Sequence, residues 1–555
     1  MAKRVAVVGA GPSGLATVKE LLAEGHTPTC FERAHGPGGV FRFGEADGVV
    51  WESCRLTSSG LMTAFSDYPI PSDFSGHMRI RDYVDYLAGY CEAFDLGKHI
   101  RFGTTVESVT PDTGGGWRVQ TRGADGAGEA HFDSVALCSG LHQHPLVPRI
   151  PGLETFTGEV IHGAQYRRPA QVAGRRVLIV GAGESGADVA AEAARHAAES
   201  VLSLRRGVAV LPRITFGKPN DFVTSRLNNS AASWIFQTRN PADDRKRTIY
   251  RWVFLPFLFV DKFLQLLFRF FWELLPLLRA PSAAAIRVNL RTRELRGRLL
   301  EMSGGTLNEQ FGTKTDEFVR ALVEERCRLA PAIARFEGPR VVFRDDSEFA
   351  PDLVIFCTGF DTKIPFLNEA LAEPPRFLNT FNPDAGASLG FIGFLRPAFG
   401  AIPPLAELQA RWFARVQSGK LALPSEIEMR QSIEHWAGLR RHAFRAVRGR
   451  LDELVDYTPF CDALASQIGC KPAWPDIRRE SRRFRRRFFA GPFVAAQYRL
   501  VGPHAKPEVA RSVIENLPIA HPLPDFLNLH LRWTLSRVLH RLLGPVYAPK
   551  LELER

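Results

Sequence analysis

The chain has 555 residues, with 71 Lys and Arg against 59 Asp and Glu, a formal charge of +12, 45% hydrophobic residues and 23% charged ones. This is globular usage and excludes a mainly disordered or collagen-like chain; at ~150 residues per domain the length predicts three to four domains. The eight cysteines include no CxxC pair, which argues against a zinc ribbon, a thioredoxin-type dithiol or a disulfide scaffold and fits a reducing, cytoplasmic compartment.

The first apolar run, Arg4 to Val8, reads as a buried parallel strand, and Leu15 to Leu22 as the helix after it. With a glycine loop beginning at Gly9, a signal peptide is not expected unless the first strand is sacrificed to it, and no uncharged apolar run of 18 residues suggests a conventional transmembrane span. Between strand and helix stands Gly9-Ala10-Gly11-Pro12-Ser13-Gly14. Such a loop needs one glycine for the tight turn, one for backbone approach to a pyrophosphate, and one for close packing of helix on strand. The next apolar run ends at Glu32, where a carboxylate can accept from a ribose. A second copy follows: Arg175 to Val180 as strand, Gly181-Ala182-Gly183-Glu184-Ser185-Gly186 as loop, then a helix containing Asp188. Its second strand, Val201 to Leu204, ends in Arg205 and Arg206 where the first copy has Glu32. A carboxylate suits a free 2′-hydroxyl and a cationic pair suits a 2′-phosphate, so the first site is expected to take FAD and the second NADPH. The fold class expected is α/β, with two Rossmann-like dinucleotide-binding domains, a helical insert and a helix-rich C-terminal region.

Between the loops lies Phe156-x-Gly158-x-x-x-His162-x-x-x-Tyr166. Gly38-Gly39-Val40-Phe41-Arg42, Trp51-Glu52-Ser53, Phe65-Ser66-Asp67-Tyr68-Pro69, the strand ending Cys357-Thr358-Gly359, and Gly491-Pro492 through Gln497-Tyr498-Arg499 to Gly502-Pro503 complete the set. Together these resemble the flavin-containing monooxygenases, of the animal type rather than the Baeyer–Villiger type, densely over residues 1–210 and in patches over 300–510. The resemblance implies that Gly39, Val40, Phe41 and Thr57 adjoin FAD, with Phe41 where the family has Trp and Thr57 where an Asn stands near the flavin's reactive face. Thr57 and Ser58 are therefore the residues expected beside the reacting atoms. Thr offers a hydroxyl but no amide NH₂. His162 reads as a conformational link between domains ahead of a base; Phe156, Gly158, Tyr166, Thr358 and Gly359 read as structural motif residues.

The chain then departs from the family. Residues 214–305 form an insert, and from 252 to 279 Lys262, Gln265, Arg269 and Glu273 make a narrow polar stripe among Leu, Phe and Trp. A helix lying on a membrane surface reads this way, and so does a buried helix or a homodimer contact. Residues 526–543 are again amphipathic and basic, and 478–487 hold seven Arg and one Glu. A solvated face is the first reading of that run, anionic lipid the second and nucleic acid the third, since no nucleic-acid motif accompanies it. The expected division is residues 1–168 and 358–423 for the FAD domain, 169–357 for the NADPH domain, and 424–555 for a helical region. The expected place is the cytoplasmic face of a membrane, as a peripheral protein.

The resemblance implies an NADPH- and O₂-dependent oxygenation of a small-molecule soft nucleophile, an amine N or thioether S, through an FAD C4a-hydroperoxide. It requires no metal and no nucleophile from the protein. The alternatives are Baeyer–Villiger oxygenation of a ketone, disfavoured because the motif ends Tyr166-Arg167-Arg168-Pro169, and an oxidase that releases H₂O₂.

Overall fold

A computed structural model describes residues 2–519 except 45–47, 72–75, 216, 229–281, 306–309, 374, 445–446 and 448–450. Val5, Ala6 and Val7 are wholly buried, as a continuous apolar run must be when both faces of its sheet are covered. Arg4–Val8 is the centre of a five-stranded parallel sheet ordered Leu389–Phe391, Ser134–Leu137, Arg4–Val8, Thr27–Phe31, Ile100–Arg101. A second parallel sheet is ordered Arg328–Ala330, Glu199–Ser203, Arg176–Val180, Leu353–Phe356, Glu159–His162. In each, the strand–glycine loop–helix unit expected from the sequence is formed, with helices Pro12–Ala23 and Glu184–His196. Proline at the first helical position sacrifices no hydrogen bond in the first copy, and Glu184 at the start with Arg195 and His196 at the end suits the helix dipole in the second.

The two units correspond further. Each places a three-stranded antiparallel sheet before the strand that returns beside its glycine loop: Thr105–Pro111, Trp117–Gly123 and Gly126–Phe132 before Ser134–Leu137, and Ile333–Glu337, Arg340–Phe343 and Glu348–Phe349 before Leu353–Phe356. The first sheet is closed by Leu389–Phe391, which follows the second unit in the chain. Glu159–His162 precedes residue 168, yet it hydrogen-bonds to Leu353–Phe356 in the second sheet.

Helix Ile402–Gln417 lies on helix Pro12–Ala23; Leu405, Trp412 and Phe413 share a core with Val5, Leu15 and Val18. Phe460, Leu464 and Ile468, from helix Tyr457–Ile468, join that core. The arginine-rich run forms helix Arg482–Ala490, capped by Ser481. Phe484 and Phe488 pack beneath it, while Arg483 and Arg487 donate to the Glu515 carbonyl in the last turn of helix Pro507–Asn516. Among the described residues no helix is long and apolar enough to cross a membrane. The amphipathic segments 252–279 and 526–543 lie outside the described residues.

Candidate functional site

The two glycine loops repeat one steric design. A Cβ on Gly14 would stand 1.8 Å from the Gly9 carbonyl oxygen, and one on Gly186 would stand 1.9 Å from that of Gly181. Only glycine lets each helix approach its strand so closely. The leading residues Gly9 and Gly181 have φ +100° and +97°, the tight turn that the pattern demands. At Gly183 a Cβ would meet no atom of the described residues within 4 Å, so among them open space lies before the N–H groups of that helix. Glu32 is buried; its carboxylate accepts from the N–H of Ala10 at 2.6 Å and of Ala34 at 2.9 Å, fixing the first loop from beneath.

Both loops open into a single cavity of about 690 Å³. Gly9, Gly11, Pro12, Ser13, Glu32, Gly39, Val40 and Phe41 line it from the first unit, and Gly183, Ser185 and Asp188 from the second. Ala10, Gly14, Gly181 and Gly186 do not line the cavity; they carry the turns behind it. Thr57 and Ser58 line it between the two units. Ser58 Oγ is engaged with Thr63 Oγ1 at 2.8 Å, whereas the Thr57 hydroxyl makes no hydrogen bond among the described residues. The loop they occupy is held from two sides: His77 Nδ1 meets the Leu56 carbonyl at 3.0 Å, and the Ser59 N–H donates to Asp221 Oδ2 at 2.6 Å.

Asp221 comes from the insert, is 4% exposed, and leaves Oδ1 without a partner among the described residues. Burial pushes its carboxyl above the ordinary range, against the pull of the Ser59 N–H and His77. A raised folded-state value means that the unfolded chain ionises first, so this group costs stability as pH rises above its unfolded value. Asp221→Asn, which retains an acceptor for Ser59, is expected to gain in melting temperature over the parent more at pH 8 than at pH 4. Equal differences at the two pH values would contradict the assignment of a buried charge here.

Asp188 turns its carboxylate to Arg213, 2.5 Å away, and burial pushes its carboxyl up to about 6. Arg205 and Arg206 are exposed just beyond strand Glu199–Ser203 and do not line the cavity. His162 does line it; Nδ1 accepts from the Ala164 N–H at 3.0 Å, Nε2 is buried without a hydrogen bond among the described residues, and the ring meets Phe360 edge-on at 5.1 Å. Burial lowers its pKa, which keeps the imidazole neutral near pH 7. Tyr166 donates to Glu192 at 2.6 Å, and Ser53 donates to the other oxygen of the same carboxylate at 2.7 Å. A first-unit segment is thereby tied to a second-unit helix. Phe156 packs edge-on against Phe336, and Gly158 leaves room for the Phe156 ring. Thr358 bonds to the Leu146 carbonyl, and Gly359 lines the cavity.

The flavin-binding monooxygenase-like family model matches residues 2–241 and 298–517. The chain belongs to that family. It is 33% identical over 555 residues to a 4-hydroxybenzoate brominase (decarboxylating) of Pseudoalteromonas luteoviolacea, covering 98% of each chain. It is 33% identical over 525 residues to flavin-containing monooxygenase 2 of Homo sapiens, covering 91% of this chain and 89% of that one. An S-allyl-L-cysteine S-oxygenase structure from Allium sativum superposes with a TM-score of 0.58 at 23% identity, over 84% of this chain and 89% of that one, which shows the shared fold.

This flavin-binding monooxygenase is an NADPH-dependent enzyme that uses FAD, and the residues lining the cavity suit the phosphates of both cofactors. Two helix N-termini face one space, with glycines where phosphates must approach. The buried carboxylate set Glu20, Asp67 and Glu407 has its charge met by Arg499, at 2.5, 3.4 and 2.8 Å respectively, and by Lys19. It is an ion-pair network joining the Phe65–Pro69 stretch to Arg499. The cavity also carries residues that motif reading missed: Phe311 and Lys314 after the insert, and Arg396 beyond the first sheet's last strand. No glycine pattern marks them, and nothing local signals their approach.

Proposed function

We propose that Gly9–Gly14 with Glu32, Gly39, Val40 and Phe41 holds FAD, and that Gly181–Gly186 with Ser185, Asp188, Arg205 and Arg206 holds NADPH. The enzyme then delivers one oxygen atom of O₂ to a soft nucleophile, an amine N or a thioether S. One observation carries this reading: both glycine loops, and Thr57 between them, face one cavity. FAD, when bound, supplies the hydride acceptor and the O₂ chemistry. The chain's own contribution is placement and exclusion of water. His77 and Asp221 hold the Thr57 loop at fixed height, Thr57 presents a hydroxyl that no described residue engages, and His162 stays neutral.

Exposure of Arg205 and Arg206 suits a 2′-phosphate at the rim of the second sheet. Substituting both by Ala is expected to lower kcat/KM for NADPH on the order of 10- to 100-fold while leaving NADH unchanged. An equal loss with both coenzymes would remove the pair from the phosphate site.

A second reading is favoured by the brominase relative, which matches nearly end to end: halide as the acceptor, with halogenation of a phenol such as 4-hydroxybenzoate. One experiment separates the two. NADPH consumed, H₂O₂ released and product formed are measured with a thioether, with a tertiary amine, and with bromide plus 4-hydroxybenzoate. Sulfoxide or N-oxide nearly stoichiometric with NADPH supports the first reading, and brominated phenol supports the second. Near-stoichiometric peroxide in every case contradicts both.

A further inference from the structure

Within the cavity, one aromatic ring receives two cations. The centre of Phe311 lies 4.8 Å from Lys314 Nζ and 4.8 Å from the Arg396 guanidinium carbon, and all three residues line the space between the loops. Lys314 is only 4% exposed. Its nearest acid is Glu184, whose Oε1 stands 3.6 Å from Nζ, beyond hydrogen-bond reach; Glu184 Oε2 is taken by the Lys314 backbone N–H at 3.0 Å. The ammonium therefore donates no hydrogen bond among the described residues, and Glu184 Oε1 accepts none. That ammonium has the Glu184 ion pair and the field of the Asp221 carboxylate but no hydrogen bond to share its charge, and a second cation on the same ring adds like-charge repulsion. An oxyanion between the two would relieve both.

Contacts to both glycine loops place the cluster. Thr313, beside Lys314, donates to the Ala182 carbonyl of the second glycine loop at 3.0 Å. Arg396 lies on strand Arg396–Pro397, paired with Leu454–Val455 and three residues past Gly393, where a Cβ would strike Ser13 of the first loop. The cluster thus spans the interval between the two loops instead of belonging to either. Resting on the reading above, we propose that Lys314, Arg396 and Phe311 form a subsite for the carboxylate of an aromatic or similarly flat substrate. The enzyme accordingly favours acceptors that carry an anionic group.

The test is calorimetric titration of oxidised, FAD-loaded enzyme with 4-(methylthio)benzoate, its neutral amide 4-(methylthio)benzamide, and NADP⁺. Parent, Lys314→Met and Arg396→Met proteins are compared after their FAD content is confirmed equal. The expected result is that the parent prefers the acid, and each substitution weakens the acid on the order of tenfold or more. Binding of the amide and of NADP⁺ to Arg396→Met stays within about threefold. Equal binding of acid and amide by the parent overturns the proposal. So does a Lys314→Met protein that loses NADP⁺ but keeps the acid, since the cofactor's phosphate then occupies the cluster. Neither outcome touches the monooxygenase reading, which is judged separately by whether NADPH reduces the parent's flavin.

Discussion

Gly14→Ala is expected to yield a protein with FAD affinity reduced on the order of 100-fold or more, colourless as purified. The added carbon would stand 1.8 Å from the Gly9 carbonyl, where ordinary contact begins near 3.4 Å, so helix and strand must separate by more than an ångström. Misplacement on that scale at a phosphate cradle forfeits the aligned N–H donors together. Gly186→Ala makes the same demand of the second loop, with 1.9 Å to the Gly181 carbonyl. It is expected to stay yellow while losing NADPH-driven reduction by a similar factor. Gly183→Ala is the contrast: its carbon meets no atom of the described residues within 4 Å, so the fold is expected to stay intact and only NADPH binding to weaken. Flavin absorbance of the purified proteins and anaerobic reduction rates read all three. A fully flavinated Gly14→Ala enzyme would remove the first loop from the FAD site.

Arg499→Leu is expected to cost about 3–5 kcal/mol, because it leaves Glu20, Asp67 and Glu407 buried around a missing charge. Burial alone would raise the Glu20 carboxyl, but Arg499, Lys19 and Arg411 outweigh it and hold it far below its usual range; Asp67 is likewise lowered, against burial, by Arg499 and Lys19. Depressed carboxyls stabilise the fold above their unfolded values, and that contribution drains away as pH falls through the folded ones. The deficit of Arg499→Leu is therefore expected to be largest near pH 7 and to shrink in acid, where protonation relieves the stranded carboxylates. Thermal unfolding across that range measures it. A variant as stable as the parent at pH 7 would show that the network carries no net stability.

Both predictions rest on features of different legibility. Strand Arg4–Val8 was readable to the residue, because a strand buried on both faces must be continuously apolar and a glycine loop ends it. Strand Glu159–His162 was not readable as part of the second sheet. It is four residues long at an edge, with Glu159 and Val160 exposed, so no burial pattern announces its partner. The Gln497-Tyr498-Arg499 stretch carried a family resemblance but no reason. The reason is a contact across 433 residues with Ser66 and the Asp67 beside it. Thr57 could be placed beside the reaction through resemblance, whereas Asp221, which holds that loop, approaches from 162 residues away through one backbone N–H. Lys314, Phe311 and Arg396 belong to the same class: pairings made only by the closing of two units on one cavity leave no periodicity in the chain.

Anaerobic mixing of the purified yellow protein with a single equivalent of NADPH tests the cofactor arrangement most directly. If both glycine loops serve one cavity, the flavin absorbance bleaches in one rapid phase at one NADPH per FAD, and NADH does so far more slowly. Bound flavin that stays oxidised in excess NADPH, or a protein that cannot be reconstituted with FAD at all, would contradict it.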